Sequence, residues 1–167
     1  MPVDCAAIQT ALGQLHRTVQ SGEYIAYPTI ACTGTAPCRK DVLCDLQTNG
    51  GGWTVIQQRL DGSESFFRSW DEYKAGFGTT AANFWAGTEY IYELTRNSPY
   101  TLLVEVTTDA NPTTTQSFTY DSFQVADEAN NYRLSLGNLQ TTGVGQWLSL
   151  QAAVKLIQHL CQFSINT

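Results

Sequence analysis

Histidine, methionine and charged side chains are all scarce in this chain: its 167 residues include two histidines, one methionine and only 14% Asp, Glu, Lys and Arg. Neither His16 nor His159 belongs to a His-Glu-x-x-His metal motif or neighbours a Gly-x-Ser-x-Gly elbow, so no catalytic residue is assigned and an enzyme is the weakest class. A lone Gly143-Val144-Gly145 lacks the third glycine of a dinucleotide loop. No apolar run approaches the roughly 18 residues of a membrane span. Basic residues are outnumbered 15 to 9, and the net charge of -6 repels phosphate backbones and anionic membrane surfaces, which argues against nucleic acid as a partner. Asn111-Pro112-Thr113 is blocked by its proline as a glycosylation sequon. Acidic residues stop at Glu128, and the 39 residues after it contain no Asp and no Glu. Calcium takes about six to eight oxygen ligands with carboxylates among them, so this tail lacks the side chains for such a site.

What is present is a polypeptide long enough for one domain, 43% hydrophobic, with five cysteines. Cys5, Cys32, Cys38 and Cys44 fit no pair of Cys-x-x-Cys zinc knuckles, and disulfides in an extracellular, secreted protein are the better reading. Met1 is followed by Pro2, Val3 and Asp4, so no signal peptide is visible, and a start so near the first cysteine suggests either a piece clipped from a longer secreted precursor or a gene model that begins late. Cys161 is left over by count, either a buried free thiol or the site of an intermolecular bridge.

Asp4 caps a helix in which Cys5, Ile8, Leu12, Leu15 and Val19 recur at helical spacing until Gly22. Tyr24 to Tyr27 and Val42 to Leu46 read as strands, and Asn49-Gly50-Gly51-Gly52 as a turn before a strand from Trp53 to Leu60. Ser69 and Glu72 form a capping box for a short helix ended by Gly76, and Thr88 caps another through Ile91 and Leu94. From Tyr100 the period becomes two, with a turn at Asp109-Ala110-Asn111-Pro112, a returning strand from Gln116 to Val125, and a third strand carrying Tyr132, Leu134 and Leu136. Antiparallel strands with short flanking helices make an α+β domain. Trp53, Trp70 and Trp85 are expected in the core, Arg59 as a structural donor, and the adjacent Asp127 and Glu128 as solvated charge.

The order of these motifs carries a resemblance. Ser21 to Pro28, Cys44-Asp45, Gly50-Gly51-Gly52-Trp53-Thr54-Val55, Gln58-Arg59 and Asp61-Gly62 resemble the fibrinogen C-terminal-like domain. So do Phe66 to Trp70, Tyr73-Lys74, Gly76-Phe77-Gly78, Asn83-Phe84-Trp85, and Phe123 to Ala129 with Tyr132 and Leu134. The resemblance implies that residues 1–145 form a partial domain of this family, with an N-terminal disulfide-linked subdomain over 1–48 and a central sheet over 49–145. It also implies a Cys5–Cys44 bridge. Cys32 and Cys38 depart from the family pattern and suggest a nested extra bridge, although four cysteines permit three pairings.

The family's calcium loop, second disulfide and ligand pocket have no counterpart here. In their place stands a non-family tail, 146–167, in which Trp147, Leu150, Val154, Ile157 and Cys161 follow the spacing of an amphipathic helix. The family's last strand returns into the main sheet, so its loss is expected to leave an unpaired edge. The resemblance implies a lectin-like or innate-immune factor that binds carbohydrate or protein ligands, as ficolins, tachylectins, angiopoietins and tenascins do. With the pocket missing, no calcium cofactor and no calcium-dependent binding to acetylated sugars are expected, and no ligand-binding residue is assigned. The alternatives are an assembly module of a matrix or multimeric protein, oligomerising through the tail or Cys161, and a truncated isoform without function of its own.

Overall fold

The computed structural model of the protein describes residues 1–28, 38–107, 115–140 and 161–166. Helix α1 (Cys5–Gln14) starts where the Asp4 carboxylate accepts the Ala7 amide at 2.8 Å, and it buries Cys5 and Ile8. It stops well before the expected end at Gly22. His16 takes a left-handed conformation at φ 50°, while its amide donates to the Gly13 carbonyl and that of Arg17 to Leu12. These two bonds are a Schellman stop, which satisfies the last carbonyls and turns the chain toward the sheet.

Strands β1 (Gly22–Ala26) and β2 (Lys40–Asp45) pair antiparallel, and a disulfide between Cys5 and Cys44 ties α1 to β2. Cys38 is also disulfide-bonded, while Cys32 lies outside the described residues. The glycine-rich turn then reverses the chain through positive φ from Asn49 to Gly52. A Cβ on Gly51 would stand 2.4 Å from the Leu46 carbonyl oxygen, so this close approach requires glycine. Strand β3 (Trp53–Gln58) follows, buried on both faces as a central strand is.

Helix α2 (Trp70–Ala75) has the expected Ser69–Glu72 capping box. Beyond it come the short strands β4 (Phe77–Gly78) and β5 (Phe84–Trp85) and helix α3 (Thr88–Thr95). Here the expectation changes: Gly87, at φ 100°, is the N-cap of α3, and the Thr88 hydroxyl instead donates to the Tyr73 carbonyl. The cap position needs a backbone that passes within van der Waals reach of Ala75, which a Cβ would obstruct.

Strands β6 (Tyr100–Thr107) and β7 (Thr115–Val125) form a long antiparallel pair, and β8 (Leu134–Leu136) and β9 (Leu139–Gln140) both pair with β7. Tyr132 stands outside β8, at φ 47°. The turn expected at 109–112 lies outside the described residues.

The strand order is β1-β2-β3-β10-β6-β7-β8, where β10 is Cys161–Asn166. This corrects the helix expected through Cys161, of which residues 146–160 lie outside the described residues. It also corrects the expected unpaired edge, because β10 bonds to β3 on one side and to β6 on the other, antiparallel to both. The edges of β3 and β6 each present a row of amides and carbonyls that must find partners when buried, and that demand exceeds the weak local preference for helix. β10 takes one edge of β3; on the other edge β2 pairs with Trp53 to Val55, and β5 takes over at Gln57 and Gln58.

The core lies between the sheet and helices α1 and α3. Cys5, Ile8, Val55, Ile91, Leu94, Leu102, Val104 and Phe118 are among its members. A buried carboxylate sits within it: Asp4 accepts the Tyr100 hydroxyl at 2.8 Å as well as capping α1, so both oxygens are bonded.

Candidate functional site

The face of the molecule that most resembles a contact surface is built from the loop between β3 and α2. Its start is pinned by Asn83, which is buried: the side-chain oxygen accepts the Leu60 and Asp61 amides, and the side-chain nitrogen donates to Asp61 and Ser63. Hydrogen bonds from the Ser63 hydroxyl and amide, and from Asn83, hold the Asp61 carboxyl down at about 2. Farther along, Arg68 donates to the Ser65 carbonyl and pairs with both Glu64 and Glu72, while its guanidinium stacks over the Phe77 ring. Arg59 lies over the Phe66 ring at 4.3 Å, and Phe66 meets Phe77 edge to face at 5.0 Å. Tyr73 closes the frame, donating its hydroxyl to the Phe66 carbonyl and touching Phe77 and Trp85.

This frame holds Phe67 out into solvent, 99% exposed. Trp70 is 51% exposed and leans on Tyr132 at 5.7 Å, with its indole nitrogen directed at Glu128. Glu128 is ion-paired with Lys74, and the pair depresses the Glu128 carboxyl and raises the Lys74 ammonium. The Tyr132 hydroxyl donates to Glu89; burial first, then this bond, raises its pKa.

The tryptophans therefore part company. Trp53 is buried, with its indole nitrogen donating to Thr48, and Trp85 is half-buried. Trp70, expected in the core with them, is a surface residue, because α2 rides outside the sheet and turns its first residue to solvent. Asp127 and Glu128 are more than solvated charge: Asp127 caps a turn through the Asn130 amide, and Glu128 ties that turn to α2. Arg59, expected as a structural donor, lies with its guanidinium over the Phe66 ring. His16 is exposed beyond the end of α1, and His159 lies outside the described residues. Among the described residues no group of three His, Cys, Asp or Glu side chains could hold a metal ion.

The sequence carried one unused signal for this surface. Phe66-Phe67 places two large aromatics side by side in a polar loop, and one backbone cannot turn both inward. Chemically the surface offers an exposed phenyl ring and a half-exposed indole beside paired charges of both signs, the composition of the anchor residues and polar rim of protein interfaces.

Residues 14–166 match the family described as fibrinogen beta and gamma chains, C-terminal globular domain. The terminal strand falls within that match. Angiopoietin-1 of Bos taurus is 41% identical over 136 residues, and that of Homo sapiens 40%; each alignment covers 80% of this chain and 26% of the relative. The chain thus spans about a quarter of the length of these relatives. Among solved structures, the fibrinogen-like globe domain of human ANGPTL6 superposes with a TM-score of 0.72 at 36% identity, covering 86% of this chain and 59% of that one. Lamprey fibrin D-dimer, complexed with the peptide ligand Gly-His-Arg-Pro-amide, gives 0.66 at 32% identity over 84% and 42%.

Proposed function

Because this protein belongs to the family of C-terminal globular domains of the fibrinogen beta and gamma chains, we propose that it is an extracellular recognition module that binds a protein partner through the Phe67–Trp70 surface. The observation that carries this reading is the exposure of two large aromatic side chains, Phe67 on the loop and Trp70 at the start of α2, beside a loop backbone held by hydrogen bonds and stacked rings. Aromatic anchors are among the residues that dominate interface energetics, and a loop backbone already held in place loses less freedom on binding. The likeness to angiopoietin-1 supports a receptor as the partner, and the Cys5–Cys44 disulfide supports an extracellular setting. The reading assigns recognition and no catalysis, and it assigns no calcium cofactor, since residues 129–167 offer no carboxylate side chain.

The immobilised protein is tested against a panel of purified receptor ectodomains by surface plasmon resonance. A partner whose affinity falls about tenfold or more with Trp70→Ala, and again with Phe67→Ala, supports the surface. Undiminished binding by the double variant overturns it. Retention on an N-acetylglucosamine matrix, released by chelator, overturns the assignment of a protein rather than a calcium-dependent sugar ligand.

A further inference from the structure

On the edge of β3 away from β10, β2 and β5 share a single strand, and where they diverge the sheet forks. Lys40, Asp41 and Val42 extend past the residues of β2 that pair with β3, because β5 already occupies that stretch of the edge. The fork forms a cleft of 370 Å³, walled by residues 40–42, Asp41 included, by Val55, by residues 75–80 and 84–86, and by Tyr90. That volume is at the lower end of small-molecule sites, about 300–1,000 Å³. The cleft shares Phe77 and Trp85 with the frame beneath the Trp70 surface, but its ligand reading does not rest on the function proposed for that surface.

Its one basic lining residue stands in an unusual setting. Lys40 is half-buried, and its ammonium lies 4.8 Å from the centroid of the Tyr90 ring. Among the described residues no carboxylate is within ion-pair distance of it; the neighbouring Asp41 is paired with Arg39. A half-buried cation over an aromatic ring, with no carboxylate in ion-pair contact, can take an anion that carries an apolar body. The charge that completes it is limited to one. Asp41 acts on Lys40 through space, and Glu23 reaches the cleft rim by accepting a hydrogen bond from Thr80. Those two carboxylates oppose a phosphate or dicarboxylate.

We propose that this cleft binds a small aryl monocarboxylate, with the carboxylate against the Lys40 ammonium and the ring along the β4–β5 backbone beside Val42 and Trp85. Burial, the dominant influence on Lys40, lowers its pKa, as expected of an ammonium that lacks a fixed counterion. The test is a ¹⁵N NMR titration of the 167-residue chain with phenylacetate and, separately, with the neutral isostere 2-phenylethanol. Phenylacetate is expected to shift amides of residues 40–42 and 76–80, and to bind at least about tenfold more tightly than the alcohol, the worth of one charge-assisted contact. Lys40→Met, which keeps an apolar stem, is expected to erase that difference, with its own spectrum reporting that the fold is retained. Shifts confined to other residues, or equal affinity for acid and alcohol in the unaltered protein, would overturn the assignment.

Discussion

Asp61 keeps its charge far into acid because three hydrogen bonds from Ser63 and Asn83 favour the ionised form. The linkage runs one way. A folded pKa of about 2 against an ordinary 3.8 means that its contribution is complete above about pH 4 and is lost as pH falls toward 2. Acid unfolding followed by circular dichroism should therefore steepen in that interval, and Asp61→Asn should flatten it. Two glycines predict opposite outcomes. At Gly78, φ is +79° and a Cβ would stand 2.1 Å from the Asn83 carbonyl oxygen, so Gly78→Ala is expected to destabilise by about 1–3 kcal/mol. At Gly13, inside α1, a Cβ meets nothing within 4 Å, and Gly13→Ala should stabilise by about 0.5–1 kcal/mol. Chemical denaturation midpoints measure both.

Among the elements, β10 has the largest structural consequence for its length. Ser164 sits opposite Val55 on one neighbour and Leu103 on the other, so it is central in both directions. Ser164→Pro removes a ladder donor and forces the backbone in the middle of the sheet; a loss of about 3 kcal/mol or more is expected, seen as a lowered or vanished thermal transition. An unchanged transition would show that the sheet holds without this strand. Local patterning reads unevenly here. The capping box at Ser69 was legible because its two partners are three residues apart, and the alternation in β6 because its buried faces follow the two-residue period of its own backbone. Cys161, Phe163 and Ile165 also alternate with polar residues, but the helical spacing of four residues upstream, Trp147 to Ile157, runs on into Cys161 and outweighs so short a run. The end of α1 was missed for a related reason: His16 adopts a conformation usually given to glycine, and a Schellman stop without glycine leaves little trace in the sequence.

For the molecule as a whole, the Cys5–Cys44 bridge links two segments 39 residues apart and joins α1 to the sheet. Replacing both cysteines by serine is expected to lower stability by about 2–4 kcal/mol, measured by urea unfolding, chiefly because the unfolded chain regains the freedom of that closed loop. The sequence alone determined the α+β class, the family, most element positions in the first 136 residues and the absence of acidic side chains after Glu128, since each depends on composition or on neighbours a few residues apart. Only the tertiary structure decided that the last strand lies between β3 and β6, that Trp70 faces water while Trp53 does not, and that the β2–β5 fork isolates Lys40. Those features arise from pairing between segments tens of residues apart, where the need to satisfy buried backbone groups overrides what any short stretch prefers by itself.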